Sequence, residues 1–183
     1  MTRPPVWFLD VDGVINADVQ SDRAPVRTRK LIVSGWSVSV HYDPRVVARI
    51  NRTSNAAEVY WLTTWGDEAV ETLSPALGFS RFKVRSEIGP MSGHSAFPRG
   101  PHANPWWKLA TVVEHLGQTA PQAVIWTDDD IDDHVREVFE DVWSGPALLL
   151  RPDPCVGLTM SELDQIDDFL SRHVPHDGEP CCS

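Results

Sequence analysis

The sequence predicts an α/β protein, a three-layer sandwich built around a mainly parallel central sheet. Four short runs, Val6–Leu9, residues 59–63, residues 123–127 and Ala147–Leu150, are apolar almost throughout, as suits strands covered on both faces. Helix-like stretches separate them, at residues 44–54, 67–73, 105–116, 131–139 and 161–173. Strand and helix alternate, which is the order of a parallel sheet with right-handed crossovers. The length, 183 residues, favours one domain, because a single core serves chains of up to ~250 residues.

Each element has its own local reason. The run Val6–Leu9 is closed by Asp10-Val11-Asp12-Gly13, a buried strand running into a polar turn. Residues 36–42, Trp-Ser-Val-Ser-Val-His-Tyr, alternate apolar and polar and so read as half of an exposed hairpin inserted at about 18–43. Residues 88–105 are rich in Gly, Pro, Ser and His, and a compact domain rarely keeps so long an irregular loop without use. A single domain over 1–174 and a polar, frayed tail over 175–183 complete the expected organisation.

Composition excludes several classes. Hydrophobic residues are 42% and charged residues 23% of the chain, the proportions of a globular protein. No apolar run approaches the ~18 residues of a membrane span, and the start, Met1-Thr2-Arg3-Pro4-Pro5, does not resemble a secretory signal. Cys155, Cys181 and Cys182 do not make a disulfide framework, so a cytoplasmic, reducing location is expected. The net charge of −10 is uneven: residues 128–141 carry eight acids against Arg136, whereas residues 21–52 carry seven bases against Asp22 and Asp43. Such segregation concerns sites as well as solubility.

The chemistry is expected where the strands end, since ligands of open parallel sheets bind outside their carboxyl ends. Asp10 and Asp12 leave the first strand, Thr63 and Thr64 the second, and Asp128, Asp129 and Asp130 the third. Neighbouring strands lie ~4.8 Å apart, so these groups converge. Crowded carboxylates raise one another's pKa unless a cation sits between them. Hard oxygen ligands that leave room for water and a phosphate suit Mg²⁺. Beside such an ion one carboxylate can attack phosphorus in line while a second protonates the leaving oxygen. A threonine hydroxyl and a lysine ammonium then meet the charge on the phosphoryl oxygens. Of Lys30, Lys83 and Lys108, the last opens the helix before the third strand and is the best placed.

Phe8-Leu9-Asp10-Val11-Asp12-Gly13-Val14, Trp61-Leu62-Thr63-Thr64-Trp65, Lys108 and Trp126-Thr127-Asp128-Asp129 stand in the order of the four motifs of the haloacid dehalogenase-like (HAD) phosphohydrolases. More narrowly, residues 6 to 170 resemble the HAD domains of Swiss Army Knife RNA repair proteins. The resemblance implies a Rossmann-like fold and an aspartyl-phosphate mechanism. It implies Asp10 as nucleophile, Asp12 as general acid/base, Thr63 as phosphate donor and Lys108 as the bridge between phosphoryl oxygen and nucleophile. Mg²⁺ would be held by Asp128, the Asp10 carboxylate and the Asp12 main-chain carbonyl. The second acid of the last motif falls on Asp129 in the paired form and on Asp132 in the form spaced by four, with Asp129 ranked first. Gly13, Thr64 and Trp65 complete the candidate substrate contacts. About fifty residues separate Asp12 from Thr63 and about forty-four separate Thr63 from Lys108, leaving room for a hairpin and a loop as a minimal cap. An open site suits nucleic-acid ends, which are the expected phosphorylated partner. Nucleotides or other small phosphometabolites are the alternative substrates, and a non-catalytic phosphate-binding module is the alternative of another class.

Several features keep two readings. Asp128, Asp130 and Asp132 alternate as in a Ca²⁺ loop, but Asp133 stands where the EF-hand needs Gly and Phe139 where it needs Glu, so that reading fails. Trp65, Trp106 and Trp107 border the expected site, to stack on a base or simply to pack. Arg81, Lys83 and Arg85 alternate with Phe82 and Val84; with the basic stretch from Arg23 to Lys30 they either receive a phosphodiester backbone or form a solvated face. His94 and His102 read as surface histidines, and Cys155 as structural. His173, His176, Cys181 and Cys182 match no zinc template.

Overall fold

In a computed structural model, which describes residues 3–17, 26–85 and 106–174, β1 (Val6–Leu9) runs through the centre with all four residues buried. It is joined in parallel by β4 (Glu58–Leu62) on one side and β6 (Val124–Thr127) on the other. Outside these lie β5 (Lys83–Arg85) and β7 (Ala147–Leu150), giving the order β5-β4-β1-β6-β7, parallel throughout. The order reverses at β1, so the crevice at its carboxyl end is the topological switch point of the sheet. The expected α/β class, with its parallel sheet between helical layers, is the observed one.

Alternate residues of the buried strands feed two cores. Trp7, Leu9, Val59, Trp61 and Ile125 meet α1 (Pro44–Thr53) and α5 (Met160–His173) through Val46, Val47, Ile50, Leu163, Ile166 and Phe169. Val6, Phe8, Tyr60, Leu62, Val124 and Trp126 meet α3 (Trp106–Thr119) and α4 (Asp133–Val142) on the opposite face. Each indole donor inside the sheet finds a partner: Trp7 Nε1 donates to Thr127 Oγ1 at 2.9 Å, Trp61 Nε1 to Ser74 Oγ at 3.1 Å and Trp126 Nε1 to Asp128 Oδ2 at 3.4 Å. Arg49 ties α1 to Asp164 and Asp167 of α5.

Local chemistry sets the element ends. Asp43 caps α1, and Pro44 opens it, where a missing N–H costs nothing. Helix α4 begins at Asp133, later than expected, because Asp132 is its cap and accepts from Val135 N. Thr159 and Glu162 form a reciprocal capping box on α5. The stretch expected as a helix over 67–73 is instead a π-helical turn, Ala69–Leu73, that runs into the short α2 (Ser74–Leu77). There Ser74 Oγ donates to Ala69 O, five residues back.

The hairpin is β2 (Arg27–Val33) paired antiparallel with β3 (Trp36–Tyr42). Ser34 and Gly35 both have positive φ, 50° and 82°, as a two-residue type I′ connection requires. Leu31, Val33 and Val40 pin one face into the core beside Trp65, Ala69 and Leu73. Residues 18–25 of the expected insert, the loop 88–105 with His94 and His102, the side chain of Trp106, and the tail 175–183 with His176, Cys181 and Cys182 lie outside the described residues. Cys155 is an exposed free thiol, not a packed one.

Candidate active site

The site is built where β1, β4 and β6 end. Asp10 directly follows β1 and Asp128 directly follows β6, and backbone bonds from Asp10 N to Thr127 O and from Asp128 N to Leu150 O continue the ladder past the strand ends. Both carboxyls are therefore fixed by the sheet itself. Lys108, in the first turn of α3, reaches between them: Nζ is 2.6 Å from Asp10 Oδ2 and 2.8 Å from Asp128 Oδ2. Asp10, Asp128 and Lys108 are only 5%, 1% and 6% exposed, so these charges interact with little screening.

Asp10, Asp128 and Asp129 each offer a carboxylate oxygen within 4.8 Å of the others. Among the described residues one ammonium faces the three carboxyls, so the cluster has an excess of two negative charges when all three are ionised. Burial drives the Asp10 carboxyl up to about 7, with Lys108 opposing and Asp128 adding to the rise. Asp129 is raised to about 6 by burial and by the charges of Asp10 and Asp130, and burial likewise raises Asp128. Burial alone would lower Lys108, but the Asp10 and Asp128 carboxylates hold it above its ordinary value. A largely buried all-oxygen set that reaches −2 on full ionisation fits a hard divalent cation.

Asp12 stands apart from that cluster. Its Oδ1 accepts from Asn16 Nδ2 at 2.8 Å, and its Oδ2 accepts from the Trp65 indole at 2.8 Å. Each carboxylate oxygen is thus held by one neutral donor. The tight turn after β1 makes this possible: Val11 O accepts from Val14, Ile15 and Asn16 N, and Gly13 N donates to Asn16 O. Gly13 has φ 74°, and a Cβ there would lie 2.3 Å from Asp129 Cγ. Only glycine lets the Asp129 carboxylate approach the end of β1.

The second strand end delivers Thr63, buried, with its Oγ1 accepting from Trp65 N at 3.4 Å, and Thr64, exposed. Trp65 is itself buried, so it presents an N–H to Asp12 rather than an open ring to a base. Asp132 is engaged in capping α4 and is not among the three clustered acids. Lys83 is ion-paired with Glu58, and both Lys83 and Arg85 lie over the Tyr60 ring. Asn16 and the Trp65–Asp12 bond are the parts that sequence reasoning missed. No spacing rule distinguishes Asn16 from an ordinary turn residue.

A family model described as the HAD domain in Swiss Army Knife RNA repair proteins matches residues 6–163. No curated protein and no solved structure matches the chain.

Proposed function

The chain belongs to the family of HAD domains in Swiss Army Knife RNA repair proteins, and from that premise we propose that it is a Mg²⁺-dependent phosphohydrolase that removes phosphate from nucleic-acid ends. The observation that carries this reading is the buried Asp10–Lys108–Asp128 bridge beside Asp129 at the sheet's switch point. Three crowded acids at that place serve neither packing nor stability, whereas they suit a cation and a phosphoryl group.

The Asp10, Asp128 and Asp129 carboxylates and the Asp12 main-chain carbonyl would hold Mg²⁺, which when bound supplies positive charge against the phosphoryl oxygens. Asp10 attacks phosphorus: a bond forms between its carboxylate oxygen and phosphorus while the bond to the leaving oxygen breaks. Asp12, oriented by Asn16 and Trp65, gives its proton to that leaving oxygen. In the second half Asp12 takes a proton from water, the water oxygen attacks phosphorus, and Asp10 leaves as the free carboxylate. Lys108 opposes protonation of Asp10 and donates to a phosphoryl oxygen, and the Thr63 hydroxyl donates to another.

The family and the expected access support this substrate class. The intervals from Asp12 to Thr63 and from Thr63 to Lys108 leave little chain for a closing cap, which favours a large, end-presented phosphate. The test is a rate comparison, in Mg²⁺, among 3′-phosphorylated oligonucleotides, 5′-phosphorylated oligonucleotides and mononucleotides. Oligonucleotides are expected to have the higher kcat/KM, and a wide margin in favour of mononucleotides would refute the end-phosphate assignment.

A further inference from the structure

In a chain of net charge −10, residues 26–42 contain Arg27, Arg29 and Lys30 and no acid. All three bases are exposed on β2, and among the described residues none has a carboxylate partner. By contrast Arg45, Arg49, Lys83 and Lys108 are ion-paired, and Arg3, Arg136, Arg151 and Arg172 donate to backbone carbonyls. The same hairpin ends in Trp36, which is 74% exposed, with Ile32 nearby at 65%. Successive strand side chains face opposite ways, so Arg27 and Arg29 share the face of Trp36, which stands opposite Val33, and Lys30 lies on the other. Cations and an exposed indole on one hairpin are the combination that single-strand binders use, with phosphates on the bases and a nucleobase on the ring.

The hairpin is also joined to the candidate site. At its root Ala17 N donates to His41 O, His41 N donates to Asn16 Oδ1, and Asn16 Nδ2 donates to Asp12 Oδ1. Arg27 pairs with Tyr42 and Thr28 with His41 in the ladder, so the bases occupy the half nearest Asp12 and Trp36 the far end. Seven residues of strand extend ~20 Å, enough for a few nucleotides. The arm is stiff, because Leu31, Val33 and Val40 are buried beneath it and Glu68 Oε1 accepts from Ser34 N at the turn.

We propose that the β2–β3 hairpin is a single-strand nucleic-acid binding arm, with Arg27, Arg29 and Lys30 receiving backbone phosphates and Trp36 stacking under a base farther along. The inference rests on the proposed function for what lies at the root of the arm. It makes the phosphodiester chain, and not only the terminal phosphate, part of what is recognised.

The test uses the full chain in EDTA with a fluorescein-labelled, 3′-phosphorylated single-stranded RNA, followed by anisotropy over a range of salt, with the DNA of the same sequence as a parallel arm. The combined change Arg27→Ala, Arg29→Ala and Lys30→Ala is expected to weaken RNA binding at least tenfold. It should also flatten the dependence of log K on log salt by about 2, at ~0.7 per lost phosphate contact. Trp36→Ala is expected to weaken binding about fivefold or more with the salt slope unchanged. Both variants should hydrolyse a small aryl phosphate, in Mg²⁺, like the unsubstituted protein. Unchanged RNA affinity in the triple variant overturns the proposal. If aryl phosphate is never hydrolysed yet RNA binding depends on the hairpin, the phosphatase reading falls and the arm stands. If it is hydrolysed and binding ignores the hairpin, the reverse holds.

Discussion

The ammonium of Lys108 lies 2.6 Å from Oδ2 of Asp10, a residue 98 positions earlier in the chain, and the same nitrogen reaches Asp128. One lysine therefore carries most of the local compensation for a buried acidic cluster. Lys108→Met is expected to destabilise the protein by about 3 kcal/mol or more, the usual consequence of removing one partner from a buried pair. Added Mg²⁺ should recover part of that loss, because the cation then takes over the compensation. Thermal unfolding with and without Mg²⁺ measures both effects, and a variant as stable as the parent would contradict the assignment.

Gly13 is expected to be intolerant of any side chain. A Cβ would sit 2.3 Å from Asp129 Cγ, and the backbone has φ 74°, so Gly13→Ala must push Asp129 away from the cluster. Mg²⁺ affinity, read by calorimetry, should fall by about tenfold to a hundredfold, as for other disturbances of ligand orientation. Asp129→Asn in the Gly13→Ala background should add little, since the carboxylate is already displaced.

Trp65 and Asn16 act on Asp12 through single hydrogen bonds. Trp65→Phe keeps most of the apolar volume and removes the donor. Hydrogen bonds to charged groups contribute ~1.5–3 kcal/mol, so kcat is expected to fall by roughly tenfold to a hundredfold. The loss should be larger for an alkyl phosphate, whose leaving oxygen needs a proton, than for an aryl phosphate with an acidic leaving group. An equal loss on both substrates would mean that Trp65 only supports the fold.

Much of the architecture was legible because its signals are local. The apolar run Val6–Leu9 could only be a covered strand, and the acids placed just beyond it and beyond β6 follow the strands to one crevice. Helices were legible as the stretches between the strand runs, the last expected over 161–173 and found over Met160–His173. The π-helical turn over Ala69–Leu73 was not legible, since it arises from packing beneath the hairpin and the Ser74 bond to Ala69 O. Contacts such as Trp65 to Asp12, separated by 53 positions, or Gly13 to Asp129 have no sequence signature, because they exist only once two strand ends are side by side.

Metal binding should depend on pH in a definite direction. In the metal-free chain Asp10 is raised to about 7 and Asp129 to about 6, burial being the first cause of both. The folded state therefore favours their protonated forms, so these two groups withdraw stability as pH rises from about 4 through about 7. Ligation needs the ionised forms, so apparent Mg²⁺ affinity should increase from pH 5 to about 7 and then level off. Calorimetric titrations at several pH values check this, and a flat profile would contradict it.

His115 supplies an opposite and separable effect. The residue is 2% exposed, its ring edgewise on Phe8 and Tyr60 with no hydrogen-bond partner at either nitrogen among the described residues, and burial lowers it to about 4. A depressed histidine stays neutral when folded but charges when unfolded, so it costs stability as pH falls from its ordinary value of 6.5 toward 4. The slope is at most ~1.4 kcal/mol per pH unit. Denaturant unfolding of His115→Phe between pH 4 and 7 should lack that component while keeping the one from Asp10.

The central claim is that Asp10 is the nucleophile of a Mg²⁺-dependent phosphatase. Phosphate release from an aryl phosphate, with Mg²⁺, by the parent protein and by Asp10→Asn tests it most directly. The account predicts hydrolysis by the parent that EDTA abolishes, and loss of at least about a thousandfold in Asp10→Asn. Equal activity in the two proteins would contradict it.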